Sequence, residues 1–219
     1  MKDLDSNNSD SNKPDSNKQS SDSAMGISDE QLMLNYQQGD TAAFEQLYSK
    51  HKGPLYRYFV RQLSQKSLAE DLYQDTWGKV IKAAGNYQVT AKFTTWLYRI
   101  AHNLLIDHVR AVKPLDEAAD MGDETMDNFD ANINNEHAHG RPDEQLEDEQ
   151  KAKLLKSCVA SLPAVQKEAF LLNIELGLTA AAISDIADVT LEATKSRIRY
   201  AYQSIKQCVA AKWQGVTYD

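Results

Sequence analysis

Basic side chains lie close together near the C-terminus, in the stretch VTLEATKSRIRYAYQSIK, residues 189–206. They are Lys195, Arg197, Arg199 and Lys206. They stand against one acid, Glu192, in a chain whose formal net charge is -8. Cations on one helix bind phosphate groups and can donate hydrogen bonds to base edges in a major groove. The chemistry that this stretch suggests is nucleic-acid binding.

A second set of candidate side chains lies on a helix predicted from about residue 93 to residue 112. Its apolar stripe would be Phe93, Leu97, Ile100, Ala101 and Leu104. Its opposite side would present Lys92, Thr95, Arg99, Asn103 and Arg110, with Trp96 at the margin. Cations beside an aromatic ring suit a single nucleic-acid strand. The same pattern is typical of an ordinary solvated helix, and this helix alone favours that interpretation.

Acid–base and metal chemistry have weaker support. The groups that could transfer protons are His102, Asp107 and His108. Helical phase does not bring all three to one face, so we do not expect an enzyme. A metal could in principle bind Glu136, His137 and His139, but such crowding in one polar segment is more typical of an exposed cluster. The sequence predicts no catalytic residue, no metal and no cofactor.

Composition bounds the class of the protein. With 42% hydrophobic residues in 219, the chain can form one or two small domains with apolar cores. No apolar run approaches the ~20 residues that span a bilayer, and no signal sequence is evident, so we expect a cytoplasmic protein without membrane insertion. Cys158 and Cys208 are far apart and lack CxxC spacing, which favours buried, reduced thiols.

Charge is distributed unevenly along the chain. Residues 79–113 carry 6 basic and 1 acidic side chains, residues 114–150 carry 1 and 13, and residues 151–219 carry 9 and 6. Two positive segments are thus separated by a strongly acidic one. Because nucleic-acid binding depends on local patches, the acidic total does not exclude it.

Two segments lack a hydrophobic period. Residues 1–28 are rich in Ser, Asn and Asp and predict a disordered tail, while residues 114–143 predict a flexible acidic linker. Between them, residues 29–113 have apolar side chains at helical spacing and no strand-like alternation. Within that domain, Ser67 and Glu70 have the spacing of a capping box that would begin a helix. The expected fold class is all-α.

The last predicted domain, residues 144–213, has the length of a helix-turn-helix domain and the residues that begin and end its helices. Pro163 would begin one helix and Gly177 would end it. Thr179 and Thr190 would cap two further helices joined by a tight turn. The inner stripe of the final helix would be Leu191, Thr194, Ile198, Ala201, Ile205 and Cys208. Its outer face would carry Glu192, Lys195, Ser196, Arg199, Gln203 and Lys206, which suits a helix in the major groove.

Four blocks of sequence are specific as a combination. They are AEDLYQDTW, KFTTWLYRIAHNLLIDHVR, LPAVQKEAFLL and the helix-turn-helix that ends in KSRI. The first resembles region 2.2 of the sigma-70 family of transcription initiation factors, in its small extracytoplasmic-function (ECF) group. The second resembles regions 2.3 and 2.4, and the last two resemble region 4. The blocks stand in the family's order and separation.

The resemblance implies two small helical domains, regions 2 and 4, that bind core RNA polymerase and direct it to a two-part promoter. By similarity, residues that dock on the clamp of the largest catalytic subunit are Asp71, Gln74, Asp75 and Trp77. Residues that open the minus-10 element and hold its non-template strand are Asn86, Tyr87, Lys92, Thr95, Trp96, Arg99, Asn103 and Arg110, with a base pocket in the loop NYQVTAK. Residues that contact the minus-35 element are Thr190, Glu192, Lys195, Ser196, Arg197 and Arg199.

The resemblance also implies partners. Besides promoter DNA, we expect region 4 to contact the flap of the second-largest polymerase subunit, and an anti-sigma factor to hold the protein inactive. This chain departs from the family at residues 190–194, which leaves the docking of the last helix open. The main alternative is a self-standing helix-turn-helix regulator that binds duplex DNA without polymerase.

Overall fold

The computed structural model describes residues 26–112 and 142–213, which form helices and connecting turns without a β-strand. The helices are α1 (Asp29–Gln37), α2 (Thr41–Gln62), α3 (Lys66–Ala83), α4 (Phe93–Val112), α5 (Pro142–Ala160), α6 (Ala164–Leu176), α7 (Ala180–Ala187) and α8 (Leu191–Trp213), with a short 3-10 helix, Ala84–Asn86, after α3. The prediction of an all-α fold is confirmed. Residues 1–25 of the predicted tail and residues 114–141 of the predicted linker lie outside the described residues.

Local side chains explain where α1 and α2 begin. The Ser28 hydroxyl accepts a hydrogen bond from the backbone amide of Gln31 at 3.2 Å. The Asp40 carboxylate accepts from the amides of Ala42 and Ala43 at 3.0 and 3.2 Å. Each cap satisfies amides that a helix leaves unpaired at its first turn.

The predicted capping box at the start of α3 is wrong. The helix begins at Lys66, one residue before Ser67, and its N-cap residue makes no side-chain hydrogen bond. Glu70 instead accepts a hydrogen bond from the Tyr56 hydroxyl at 3.3 Å. A contact between two helices has therefore replaced the local pairing that the spacing suggested.

Two apolar clusters meet at α6. Ala169 and Leu172 belong to the larger cluster, which also contains the buried side chains of α1 to α4. Phe170 and Leu171 belong to a second cluster, formed with α5 and α8. A helix that is buried on both sides is apolar around most of its circumference, as the sequence AFLL shows.

Cys158 and Cys208 form a disulfide, so the expected reduced thiols are not found. The bond joins α5 to α8 with the Cα atoms 5.8 Å apart. Cys158 is 1% exposed within the second apolar cluster. Burial was expected, but pairing depends on α5 packing against α8, which residue spacing does not reveal.

Candidate nucleic-acid and polymerase-binding surfaces

A pocket of about 240 Å³ opens beside the start of α4. The residues that line it are Ala83, Asn86, Tyr87, Gln88, Thr90 and Trp96. Part of its wall is aromatic, since the rings of Tyr87 and Trp96 meet at a steep angle with their centroids 5.0 Å apart. A nucleobase is flat and has hydrogen-bonding edges. An aromatic wall beside amide and hydroxyl side chains therefore suits an unpaired base.

The loop that forms this pocket is held by α1. The side-chain amide of Gln37 donates hydrogen bonds to the carbonyl oxygens of Gly85, at 2.8 Å, and Tyr87, at 3.4 Å. The pocket lies in the predicted loop, NYQVTAK. It also takes in Ala83 from α3 and Trp96 from α4, so three parts of the chain build it.

Glu30 fixes the start of α4. Its carboxylate accepts a hydrogen bond from the backbone amide of Phe93, the first residue of that helix, at 2.7 Å. A negative charge here also complements the helix dipole. Burial raises the pKa of Glu30, but hydrogen bonds from the Phe93 amide and from its own backbone outweigh burial and leave the pKa below its ordinary value. The ionised carboxylate thus positions the helix that follows the pocket.

The outward side of α4 carries cationic and amide groups in one row. Lys92, Arg99, Asn103 and Arg110 are exposed, and Trp96 is partly exposed. At 100° per residue these positions fall within a sector of about 60°. The row begins at the pocket and runs the length of the helix. Such a surface can follow the phosphates of a strand whose base enters the pocket.

Two of the residues predicted to contact the minus-10 strand are buried. Thr95 is 6% exposed and Tyr87 is 4% exposed. Because α4 packs against α1, α3 and α7, its buried sector is wider than the single stripe expected, and Thr95 falls within it. Thr95 is therefore a packing residue and not a surface contact.

Tyr87 lines the pocket although its side chain is almost fully buried. Burial, together with the nearby charges of Glu30 and Asp29, raises the pKa of Tyr87 to about 12. The phenol therefore stays protonated and neutral at physiological pH. Its ring contributes shape to the pocket, which differs from the exposed strand contact that the family pattern suggested.

Polar residues of α3 form an exposed face. Asp71, Gln74 and Asp75 are all exposed, as the prediction requires. Their spacing of three and four residues makes them neighbours on the helix surface. Leu72 and Thr76 on the other side are buried. The face is therefore presented by a helix whose opposite side anchors it in the core.

Trp77 does not share this exposed face. Its side chain is 5% exposed, and its ring packs edge-on against Phe44 and Tyr48, with centroids 5.8 and 5.0 Å away. The predicted direct contact of Trp77 with polymerase is corrected to a supporting position in the core. The same helical phase that exposes Asp71 and Asp75 turns Trp77 inward, as expected for a position six residues after Asp71.

Helices α7 and α8 are joined by a short turn at residues 188–190, as the predicted helix-turn-helix requires. The Thr179 hydroxyl accepts from the Ala182 amide and the Thr190 hydroxyl from the Ala193 amide, both at 3.2 Å, so the two predicted caps are confirmed. Asp188 makes the turn with φ of 52°, in the left-handed region that Asp tolerates better than most residues.

The residues predicted to contact the minus-35 element lie along the first turns of α8. Thr190, Glu192, Lys195 and Arg199 are exposed, whereas Ser196 and Arg197 are half-buried. Leu191, expected in the inner stripe, is 39% exposed. The surface offered by α8 is thus centred on Lys195 and Arg199.

These two cations have weak intramolecular partners. The Lys195 ammonium lies 2.9 Å from the Glu192 carboxylate, and the Arg199 guanidinium lies 5.0 Å from the centre of the Tyr200 ring. An exposed ion pair contributes about 0 to 1 kcal/mol, so a phosphate or a base edge can replace Glu192 at little cost.

The groups considered for proton transfer are dispersed. His102 is hydrogen-bonded to Glu168, Asp107 is exposed, and His108 is half-buried. Among residues 26–112 and 142–213, no cluster of His, Cys, Asp and Glu could hold a metal ion. None of the helices in these ranges is long and apolar enough to cross a bilayer. The predicted metal alternative, at residues 136–139, lies outside the described residues.

The model of sigma-70 region 2 matches residues 47–113. The RNA polymerase sigma-H factor of Pseudomonas aeruginosa is 28% identical over 183 residues, which are 83% of this chain and 93% of that protein. The ECF RNA polymerase sigma-E factor of Haemophilus influenzae is 26% identical over 180 residues, 82% of this chain and 94% of that protein. The chain belongs to the ECF group of the sigma-70 family.

Solved structures share the fold of this sigma factor. RpoE of Bartonella quintana, crystallised with the anti-sigma factor NepR, has a TM-score of 0.58 at 21% identity, covering 76% of this chain and 96% of that one. CnrH, in complex with the cytosolic domain of CnrY, has a TM-score of 0.57 at 20% identity, covering 84% and 97%. The likeness extends over 96% and 97% of the two solved chains and over 76% and 84% of this one.

Sequence patterns missed the residues that support the sigma factor's surfaces from a distance. Gln37 and Glu30 hold the pocket loop and the start of α4 from positions 48 to 63 residues away. No local motif marks either residue. Gln88 and Thr90, in contrast, were within the predicted pocket loop but were not singled out, although polar side chains there are a usable signal.

Proposed function

We propose that this sigma factor binds core RNA polymerase, recognises minus-35 and minus-10 promoter elements and promotes DNA opening in the cytoplasm. The observation that carries the proposal is the pocket at Trp96 and Tyr87, from which a row of cationic and amide groups leads away along α4. A base can enter such a pocket only after it has left the duplex. The surface therefore favours a role in strand separation.

Region 2, residues 29–113, provides two of the contacts. Trp96, Arg99, Asn103 and Arg110, with Asn86 and Lys92, hold the non-template strand of the minus-10 element. The exposed α3 face of Asp71, Gln74 and Asp75 docks on the clamp of the largest polymerase subunit. These surfaces belong to different helices, so one domain can bind both partners at once.

Region 4, residues 144–213, provides the remaining contacts. The first turns of α8 enter the major groove of the minus-35 element, where Lys195 and Arg199 reach base edges or phosphates. Thr190, Glu192, Ser196 and Arg197 flank them on the same helix. The rest of region 4 contacts the flap of the second-largest subunit.

An anti-sigma factor is a further partner. Both solved relatives described above are complexes, one with the anti-sigma factor NepR and the other with the cytosolic domain of CnrY. Their common fold with this chain supports a similar inhibitor here. Recovery of a stoichiometric inhibitor from cells in which the factor is silent would test this partner.

Transcription with purified components tests the main function. The factor alone should bind promoter duplex poorly, and addition of core polymerase should give promoter-specific open complexes. Tight and specific duplex binding by the chain without polymerase would favour the alternative, a self-standing helix-turn-helix regulator.

A further inference from the structure

One apolar side chain lies at the rim of the pocket beside α4. Gln88 and Thr90 line the pocket, whereas Val89 between them does not. Val89 is 54% exposed, so its side chain faces solvent beside the opening. Single exposed apolar side chains are common on protein surfaces and carry no meaning by themselves. This one adjoins a cavity that suits an unpaired base, and its neighbourhood therefore offers a partner of definite chemistry.

A tight turn places Val89 at the apex of the pocket loop. The backbone amide of Thr90 donates a hydrogen bond to the carbonyl oxygen of Gln88 at 2.9 Å. A hydrogen bond between residues two apart closes a γ-turn, in which Val89 is the central residue. The two flanking side chains contribute to the pocket wall, and the central side chain remains outside.

The loop that carries Val89 is held in place from two sides. The side-chain amide of Gln37 donates hydrogen bonds to the carbonyl oxygens of Gly85 and Tyr87. The Tyr87 ring is buried against the Trp96 indole, with 5.0 Å between the centroids. Valine is branched at Cβ, so its own χ1 angle is restricted as well. A side chain held in this way loses little entropy when it packs against a partner.

The DNA form that fits this side chain is the edge of an opened duplex. When one base leaves the stack, the face of the neighbouring base pair loses its stacking partner and is exposed to water. Proteins that separate bases commonly cover such a face with an apolar side chain. The Trp96 indole belongs to the pocket wall and is available to the unpaired base. Val89, outside the same opening, is available to the base pair that remains.

We propose that Val89 is an apolar wedge, which packs against the last base pair of the duplex when the next base has moved into the pocket. The wedge stabilises the edge of the opened duplex and does not hold the unpaired base. This role rests on the proposed function, since it requires promoter DNA on region 2. It predicts which forms of DNA depend on Val89 and which do not.

Two DNA probes separate a wedge from a strand contact. The first is a single-stranded minus-10 oligonucleotide, which has no base pair. The second is a fork, in which the same oligonucleotide continues from a double-stranded segment. Lengthening of that segment by one base pair at a time finds the fork whose last pair adjoins the pocket. Fluorescence anisotropy with holoenzyme, assembled from the full chain and core polymerase, measures the affinity for each probe.

Three variants complete the experiment. Val89→Ser removes the apolar group, and Val89→Ile retains both its branching and its apolar character. Val165→Ser is the matched control, because it makes the same substitution at a valine of α6 that is 46% exposed and lies outside the pocket loop. Circular dichroism and thermal melting of all three should stay close to wild type, since each position is exposed.

We expect wild-type holoenzyme to bind the fork more tightly than the oligonucleotide. Val89→Ser should bind the fork about fivefold more weakly, because it no longer buries roughly half of a valine side chain, and it should bind the oligonucleotide as the wild type does. Val89→Ile and Val165→Ser should keep the wild-type ratio of the two affinities. Opening of a duplex promoter, followed by 2-aminopurine fluorescence, should be slowed in Val89→Ser by a similar factor.

Each contrary result has a distinct meaning. Equal losses on the oligonucleotide and the fork would show that Val89 contacts the unpaired strand, and the wedge would be wrong. Unchanged fork binding in Val89→Ser, or the same loss in Val165→Ser, also overturns the wedge. Wild-type holoenzyme that binds neither probe overturns the proposed function and the wedge with it. Failure of the wedge alone is recognised because oligonucleotide binding then remains intact.

Discussion

The indole of Trp96 stands at 68° to the ring of Tyr87, with 5.0 Å between their centroids. Tyr87 is buried and Trp96 is partly exposed, so one ring fixes the position of the other. This contact joins the pocket loop to the cationic row of α4. A base that stacks on Trp96 therefore meets a ring that is already oriented, which lowers the entropy lost on binding.

Removal of the indole should weaken the hold on an unpaired strand. We expect Trp96→Ala to reduce the affinity of holoenzyme for a single-stranded minus-10 oligonucleotide by about 1 to 3 kcal/mol, the usual contribution of one base–aromatic stack. Trp96→Phe should retain most of the affinity. Fluorescence anisotropy with a labelled oligonucleotide measures both.

The control for this substitution is Trp213→Ala, which removes an exposed indole from the end of α8. Holoenzyme with Trp213→Ala should bind the single-stranded oligonucleotide with the same affinity as wild-type holoenzyme. Equal affinities for Trp96→Ala and the wild type would show that the pocket does not receive a base.

Reversal of charge on α3 should prevent holoenzyme assembly. Asp71→Arg combined with Asp75→Arg changes two exposed side chains, so circular dichroism and thermal melting should stay close to wild type. Competition with unlabelled wild type for core polymerase measures the binding. Glu45→Arg with Asp185→Arg makes the same change in net charge at other exposed acids. If both double variants lose affinity equally, net charge and not this face determines binding.

Features that depend on local chemistry were predictable from the sequence. Thr179 and Thr190 cap their helices, and Gly177 ends α6 in the left-handed conformation, with φ of 61°. Each of these helix ends depends only on the capping residue and on the few residues next to it in the sequence. The apolar stripes of α4 and α8 were largely correct for the same reason, because a helix repeats its faces regardless of what covers them.

Features that depend on packing between distant helices were not predictable. Thr95 is buried because several helices, α7 among them, cover α4. Ser67 does not cap α3, and the Glu70 side chain accepts a hydrogen bond from Tyr56. The partners of Glu168 are 66 and 110 residues away along the chain. No periodicity within one segment contains that information.

Base selection at the minus-35 element should depend on the start of α8. Lys195→Ala or Arg199→Ala should change the preference at particular positions by about 1 to 3 kcal/mol, because loss of a base contact affects only the sequences it distinguishes. Lys206→Ala, about two turns further along, should weaken all sequences alike or have little effect. Transcription from a library of minus-35 variants at two salt concentrations separates these cases. Unchanged preference in both early variants would leave α8 as a phosphate-binding helix.

Acid should destabilise the contact between α1 and α2. Asp29 accepts hydrogen bonds from Lys50 Nζ at 2.7 Å and His51 Nε2 at 2.8 Å. Burial raises the pKa of Asp29, but these partners outweigh it and hold the pKa below 3.8. Burial lowers the pKa of His51 by more than Asp29 raises it, so the pKa lies below 6.5. The imidazole is therefore neutral at pH 7, and Lys50 supplies the positive charge.

Both shifts have the same sign for stability. At both groups the unfolded chain takes up protons at a higher pH than the folded one. The contribution of Asp29 and His51 to the free energy of unfolding is therefore fully present above about pH 6.5 and decreases below it. His51 contributes first, and Asp29 contributes as the pH approaches 3.8. Urea unfolding as a function of pH measures this decrease. Compared with the wild type, His51→Gln should lose less free energy of unfolding near pH 6, and Asp29→Asn should lose less near pH 4. A gain in wild-type stability on mild acidification would contradict the assignment.

The disulfide stabilises the part of the chain that carries the second apolar cluster. Cys158 and Cys208 are separated by 50 residues, and the enclosed chain contains α6, α7 and most of α8. Closing a loop of this length restricts the unfolded chain, which in the chain-entropy model contributes about 4 kcal/mol. The bond therefore holds α5 against the C-terminal part of α8.

Reduction should lower the free energy of unfolding of the wild type by up to about 4 kcal/mol, since the loop constraint is then lost. Replacement of both cysteines by alanine should give a protein with the stability of the reduced form and no response to reductant. Urea unfolding of each protein, with and without dithiothreitol, measures the difference. Alanine is the suitable replacement because Cys158 is buried among apolar side chains, where serine would leave a hydroxyl without a partner. Identical unfolding curves for the oxidised and reduced wild type would show that α5 is held by packing alone.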